Sequence, residues 1–226
     1  MPANPNTATV FVVDDDPHMR QSLSALLEAM QFPVRAFSSG ASFHRFYQPQ
    51  MPGVLLLDVQ MPVQSGLQLY KTLLQEGKRL PVIFITAHAD VTTAVAAMKT
   101  GAIEFLEKPF DRTTLVDLVS KALDLDNQWR QREADYAALK SQIELLSDRD
   151  RETLDLILGG ESNKTMAVKL FITERAVEMR RASIMRKLKV RTLPELLDLT
   201  VTYRILSELR DATTSPQMPL LARRNF

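Results

Sequence analysis

The chain has 226 residues, 45% of them hydrophobic, and a formal net charge of +1. Its length exceeds the usual single domain, so two compact domains are expected, each large enough to own a core. No apolar run approaches the ~20 residues that span a bilayer, residues 1–9 lack the basic and apolar regions of a signal peptide, and a cytoplasmic location is expected. The absence of cysteine excludes disulfides and thiolate metal sites, and three scattered histidines (His18, His44 and His88) do not make a zinc site. Residues 1–127 carry 10 Lys/Arg against 13 Asp/Glu, whereas the remainder carries 18 against 14, an acidic front half and a basic back half.

In chain order, the first half alternates short β-branched runs with helical patterns, the signature of βα units around a parallel sheet buried on both faces. Strands are predicted at 9–13, 34–37, 54–57, 82–86 and 104–106. Helices are predicted at 19–30, 40–47, 65–76, 91–100 and from Thr113 onward. The pattern implies an α/β doubly wound, five-stranded parallel sheet of flavodoxin-like kind, whose ligands gather at the carboxyl ends of the strands. Neither Gly nor Pro occurs between Asp111 and Ser147, so the last helix of this domain is expected to run on to Ser147 as a linker. Short helices come next at 148–158, 163–170, 174–189 and 194 to about 210, with Ser162 and Thr173 as N-caps and Thr192 with Glu195 as a capping box. The expected organisation is a domain over 1–125, a helical linker over 126–146, an all-α domain over 147–210 and a disordered tail over 211–226.

Asp14 and Asp15 after the first strand, Asp58 after the third, Thr86 after the fourth and Lys108 after the fifth all fall where this fold places a ligand. Crowded carboxylates repel, and a hard divalent cation with oxygen ligands relieves them. An ammonium and a hydroxyl beside them suit a phosphoryl group attacked in line by Asp58. Any one of these residues alone reads as a helix cap or strand end; their convergence argues for a site.

These motifs, Val13-Asp14-Asp15-Asp16, Leu57-Asp58-Val59-Gln60-Met61-Pro62 with Gly66, Ile85-Thr86-Ala87 and Glu107-Lys108-Pro109-Phe110, resemble those of receiver domains. The resemblance implies that Asp14, Asp15, Asp58 and the Gln60 backbone carbonyl hold Mg²⁺ or Mn²⁺, and that Asp58 is phosphorylated by a sensor histidine kinase. It further implies that Lys108 pairs with the phosphate, that Thr86 and Phe105 form the switch, and that the Lys108–Pro109 bond is cis. Gln60 and His88 take positions that influence phosphate lifetime. Dehalogenase-type phosphatases also use a phospho-aspartate, but they need a second aspartate where Gln60 stands, so turnover of a separate substrate is not expected.

Residues 146–200 resemble the LuxR/FixJ type of helix-turn-helix, through Leu146-Ser147-Asp148-Arg149-Asp150, Ser162-Asn163-Lys164, Ala176-Val177-Glu178 and Ile184-Met185-Arg186-Lys187-Leu188. Two departures stand out. Asp150 replaces the usual glutamate, which is expected to weaken a helix cap, and Arg180 replaces the usual histidine. At ~3.6 residues per turn, Val177, Ile184 and Leu188 form one apolar stripe, and Arg175, Met179, Ala182 and Arg186 point away from it. That outer face suits the major groove of double-stranded DNA, with Glu178 beside it able to accept from cytosine. Lys164, Arg180, Arg181, Lys187 and Lys189 are assigned to phosphate, Arg181 equally to a structural role, and Thr173 joins the DNA-facing set. Seven basic residues against two acidic ones over 174–191 favour this reading over a merely solvated face.

The sequence thus reads as a phosphorylation-controlled transcription regulator whose partners are a histidine kinase, DNA, RNA polymerase and, on phosphorylation, a second copy of itself. The alternative is a phosphate sink or interaction module whose output ignores Asp58. Leu118, Ala122, Leu125, Trp129, Arg132, Tyr136, Leu139, Ile143 and Leu146 recur at alternating spacings of four and three, the heptad seam of helices that pair between protomers. The same seam would equally serve packing against the protein's own domains.

Overall fold

The computed structural model describes residues 7–87, 95, 97 and 100–214, and it divides into one compact unit ending at Arg130 and a second beginning at Gln131. In the first, β1 (Thr9–Val13), β2 (Val34–Phe37), β3 (Gly53–Asp58), β4 (Val82–Thr86) and β5 (Glu104–Glu107) form a sheet in the order β2-β1-β3-β4-β5. Every pairing is parallel. Alternation along the strands sends Phe11, Val13, Leu55, Leu57 and Phe84 into one core cluster, and Val10, Val12, Val54, Leu56, Ile83 and Ile85 into the other. Helices α2 (Gly40–Phe46) and α3 (Gly66–Gln75) cover the first with Phe43, Leu69 and Leu73. Helices α1 (Pro17–Ala29) and α4 (Arg112–Glu144) cover the second with Leu23, Leu27, Leu115, Val119 and Ala122. Of the helix expected at 91–100, Val95, Ala97 and Thr100 are helical and the other positions lie outside the described residues, as do His88 and the tail from 215 onward.

Side-chain caps fix where the helices begin. Asp16 accepts from the His18 amide ahead of Pro17, and Ser65 makes a reciprocal capping box with Gln68. The long helix ends at Glu144 rather than at Ser147, because Ser147 takes an extended backbone to cap the next helix. The first compact unit extends to Arg130.

The second unit contains α5 (Asp148–Leu158), α6 (Asn163–Lys169), α7 (Glu174–Lys187) and α8 (Leu193–Thr214). Leu146, Leu154, Ile157, Met166, Val177, Ile184, Leu188 and Leu196 form its core. Helix α8 continues through Thr214, past the expected end near 210. Of the apolar seam that runs along α4 and just past its end, Leu118 and Ala122 pack into the core of the first unit, and Ile143 and Leu146 into the helical core. Tyr136 stacks on Tyr203 at 5.7 Å under the Arg210 guanidinium. Those five positions therefore serve packing within the two units.

Between α6 and α7, Phe171 adopts φ 54 and is 95% exposed. The turn is closed by hydrogen bonds from the Phe171 amide to Val168 O and from the Ile172 amide to Ala167 O. This helix-ending position favours glycine, and an L-residue there costs on the order of 1 kcal/mol. The bare ring recovers little of that by packing. Phe171→Gly is expected to stabilise the C-terminal unit by roughly 1 kcal/mol, read as a higher denaturation midpoint at unchanged m value.

Candidate functional site

The sheet order makes β1 and β3 neighbours, so the residues that end them meet. Carboxylate oxygens of Asp14, Asp15 and Asp58 all lie within 4.8 Å of one another. Asp14 and Asp58 are 2% and 8% exposed, and Asp15 is open to solvent. Lys108, delivered by the end of β5, places Nζ 3.1 Å from Asp14 Oδ2 and 3.5 Å from Asp58 Oδ1. One ammonium among three carboxylates leaves the group under-compensated. Burial, only partly offset by Lys108, pushes the Asp58 carboxyl from its ordinary 3.8 up to about 6, with Asp14 and Asp15 adding to the rise.

The turns around the cluster are fixed by backbone bonds. The Asp16 amide donates to Asp14 Oδ1 at 2.8 Å, and Arg20 Nη1 donates to the Asp14 and Asp15 carbonyls at 2.8 and 3.0 Å. The Lys108 amide donates to Thr86 O at 2.7 Å, and the Lys108–Pro109 bond is cis, as expected. Thr86 is wholly buried at the end of β4, while Phe105 on β5 is half-buried against the core that Phe84 shares. Gln60 is exposed beside the cluster. Gly66 is required sterically: a Cβ there would stand 2.2 Å from the Asp58 carbonyl oxygen and 2.9 Å from Leu57 Cγ. Arg20 was missed by sequence reasoning, because a basic residue on the first turns of an amphipathic helix carries no distinguishing pattern.

On the second unit, α7 and its C-cap Leu188 bury Val177, Ile184 and Leu188, and the helix leaves Arg175, Glu178, Met179, Ala182 and Arg186 exposed. Lys164 and Thr173 are also exposed, and the Thr173 hydroxyl accepts from the Ala176 amide as the cap of α7. Arg180 is half-buried. Two residues assigned to phosphate are engaged inside the domain. Arg181 Nη1 donates to Asn163 Oδ1 at 3.1 Å, and Lys187 Nζ pairs with Asp150 Oδ2 at 2.6 Å.

The expected weakening of the cap by Asp150 does not occur. Its shorter carboxylate accepts from the Ser147 amide and hydroxyl at 3.0 and 2.8 Å and completes a capping box. Burial works to raise the Asp150 carboxyl, but hydrogen bonds from Lys187 and Ser147 outweigh it and hold it below the usual range.

A carboxyl raised in the folded state makes stability fall as pH climbs from its unfolded value near 3.8 toward 6, since the native protein binds the proton more tightly over that window. Asp58→Asn removes this charge. In metal-free buffer the variant is expected to exceed the parent by about 2 kcal/mol at pH 7, the ~3 kcal/mol that a rise from 3.8 to about 6 corresponds to being reduced by solvent screening, with the gap closing below about pH 4, as denaturant melts across pH will show. In the second unit, Lys187→Ala is expected to destabilise by about 1 kcal/mol, because the buried Asp150 carboxylate loses its countercharge while the lost ammonium was itself partly solvated.

Comparison with known proteins matches residues 10–120 to the response regulator receiver domain and residues 144–200 to the bacterial regulatory proteins of the luxR family. The transcriptional regulatory protein FixJ of Azorhizobium caulinodans is 39% identical over 87% of this chain and 93% of its own. The response regulator protein TmoT of Ectopseudomonas mendocina is 36% identical over 87% of this chain and 90% of its own. Among solved structures, the response regulator StyR superposes with a TM-score of 0.81 at 39% identity, covering 87% of this chain and all of that one. The chain belongs to the two-component response regulators that join a receiver domain to a luxR-type DNA-binding domain.

Proposed function

We propose that Asp58 is the phosphoryl acceptor and that its modification controls DNA binding by α7. The observation that carries this reading is the convergence of the Asp14, Asp15 and Asp58 oxygens with the Lys108 ammonium at the carboxyl ends of β1, β3 and β5. An acyl phosphate forms when an Asp58 oxygen attacks phosphorus of a phosphohistidine in a partner kinase and the imidazole leaves. Lys108, now held by two carboxylates, is within a small movement of the equatorial oxygens that would arrive. Thr86 at the end of β4 supplies a hydroxyl on the same rim, and Phe105 on β5 is the adjacent side chain able to repack when Thr86 turns.

The donor set fits a hard divalent cation: carboxylate oxygens within 4.8 Å of one another, with only one ammonium against them. Asp14, Asp15, Asp58 and the Gln60 carbonyl would hold Mg²⁺ or Mn²⁺. Such an ion supplies charge neutralisation to the incoming phosphoryl group. No separate substrate is turned over; the chemistry is confined to gain and loss of the phosphoryl group.

For DNA, we assign Arg175, Met179, Ala182, Arg186 and Glu178 to the bases, and Lys164, Thr173 and Arg180 to the backbone. Arg181 and Lys187 are withdrawn from direct contact by Asn163 and Asp150. The protein acts in the cytoplasm as a homodimer at promoters, where it meets RNA polymerase. No helix among the described residues is long and apolar enough to cross a membrane.

Acetyl phosphate with Mg²⁺ is expected to label the parent and raise its DNA affinity, whereas Asp58→Asn takes up no label and shows no rise. Lys108→Ala should still label but lose the rise. Labelling of Asp58→Asn equal to the parent would show the site misassigned. Lys164→Ala is expected to weaken binding to all sequences and reduce the salt slope by about 1, while Arg175→Ala changes sequence preference instead. Both are read from binding titrations at several salt concentrations.

A further inference from the structure

Helix α4 is bound to the receiver core by Leu115, Leu118, Val119, Ala122 and Leu123, and its later residues are absent from the described apolar clusters of that unit. Beyond Leu123 the attachment is polar. Asp126 is 3% exposed, accepts from the Gly53 amide at 2.8 Å and pairs with Arg130 Nε at 2.7 Å. Arg130 in turn donates from Nη1 to Pro49 O at 3.0 Å and from Nη2 to Met51 O at 2.6 Å. Two side chains one helical turn apart thus bind three successive points of the segment that enters β3.

The geometry is costly to replace. Gly53 lies so close to β1 that a Cβ would stand 2.0 Å from Thr9 O, and its amide is turned to Asp126. A buried carboxylate needs its countercharge and its hydrogen bonds together, so loss of either partner leaves an uncompensated charge. The same strand runs from Gly53 at this attachment to Asp58 at the site, a span of about 17 Å, and is hydrogen-bonded to β1 and β4 along its length. Beyond Arg130, α4 continues as part of the second unit.

We propose that Asp126 and Arg130 are positioning residues that couple the receiver to the linker: they clamp α4 to the amino end of the strand whose carboxyl end carries Asp58. A change in β3 is thereby transmitted to the helix that enters the DNA-binding unit. This rests on the reading of Asp58 as the controlling phosphoryl acceptor. The clamp adds more than a turn of anchored helix beyond the last apolar contact, at the place where the chain passes from one unit to the other.

The test uses the full chain with Arg130→Ala, and with Asp126→Asn as a second variant that keeps an acceptor for the Gly53 amide while removing the charge. Three quantities are read: acetyl phosphate labelling, amide exchange over residues 124–135, and the phosphate-dependent gain in DNA affinity. Labelling is expected to stay within about twofold of the parent, exchange to accelerate at least about tenfold, and the gain in affinity to fall at least about fivefold. Trp129, the chain's single tryptophan, is expected to change emission on phosphorylation in the parent and not in the variants. Variants that keep the full gain in affinity, with or without faster exchange, overturn the clamp as a coupling element while leaving the control reading intact. A parent that shows no gain overturns the control reading, and the coupling with it.

Discussion

Three carboxylates held together against one ammonium is the constraint on which the receiver is organised. Asp14 and Asp58 repel each other in a buried place, and the fold tolerates this because β5 returns Lys108 across the sheet to stand between them. The sheet order makes that possible: β1 and β3 are adjacent, and β4 and β5 continue on the same side. Burial is the main reason that Asp58 is raised to about 6, and Lys108 offsets it only in part. A site left short of positive charge favours cations, and Lys108 already faces one oxygen of Asp58. Gly66 lets the chain pass close to the Asp58 carbonyl, and the Arg20 guanidinium holds the turn after β1 by donating to the Asp14 and Asp15 carbonyls.

The C-terminal unit separates its apolar and its charged residues by helix face. Val177, Ile184 and Leu188 are consumed by the core, and the opposite face of α7 presents cations with a small residue, Ala182, between them. Charge alone does not identify the contacts. Lys187 belongs to Asp150 and Arg181 to Asn163, so part of the basic count over 174–191 stabilises the unit. Phe171 stands apart, with a backbone conformation and an exposure that each cost stability.

Much of this was legible in the residues because local chemistry and fold agree. The runs 9–13, 34–37 and 82–86 became strands to the residue, since β-branched and apolar residues suit buried parallel strands. The third strand is longer at both ends, at Gly53 and Asp58, because ladder bonds extend to residues that are poor strand formers. The meeting of Asp14, Asp15, Asp58 and Lys108 was readable from strand termini alone. Less was readable where the competing surface could not be known. A seam at heptad spacing does not say which partner covers it, and Tyr136 is covered by Tyr203 and Arg210 of the same unit. Asp126 with Arg130 looks in sequence like any solvated i, i+4 pair; only the fold shows the carboxylate buried against Gly53. Asp150 misled for a related reason, because its value lies in a countercharge that arrives from α7.

The central claim is that the acceptor is Asp58 itself, and reductive trapping tests it most directly. Borohydride converts an aspartyl phosphate to homoserine, so treatment after incubation with acetyl phosphate and Mg²⁺, followed by peptide mass mapping, locates the acylated carboxylate. Homoserine at position 58 alone, formed in step with the rise in DNA affinity, is the predicted result. Homoserine at Asp14 or Asp15, or a rise in affinity with none at position 58, would contradict it.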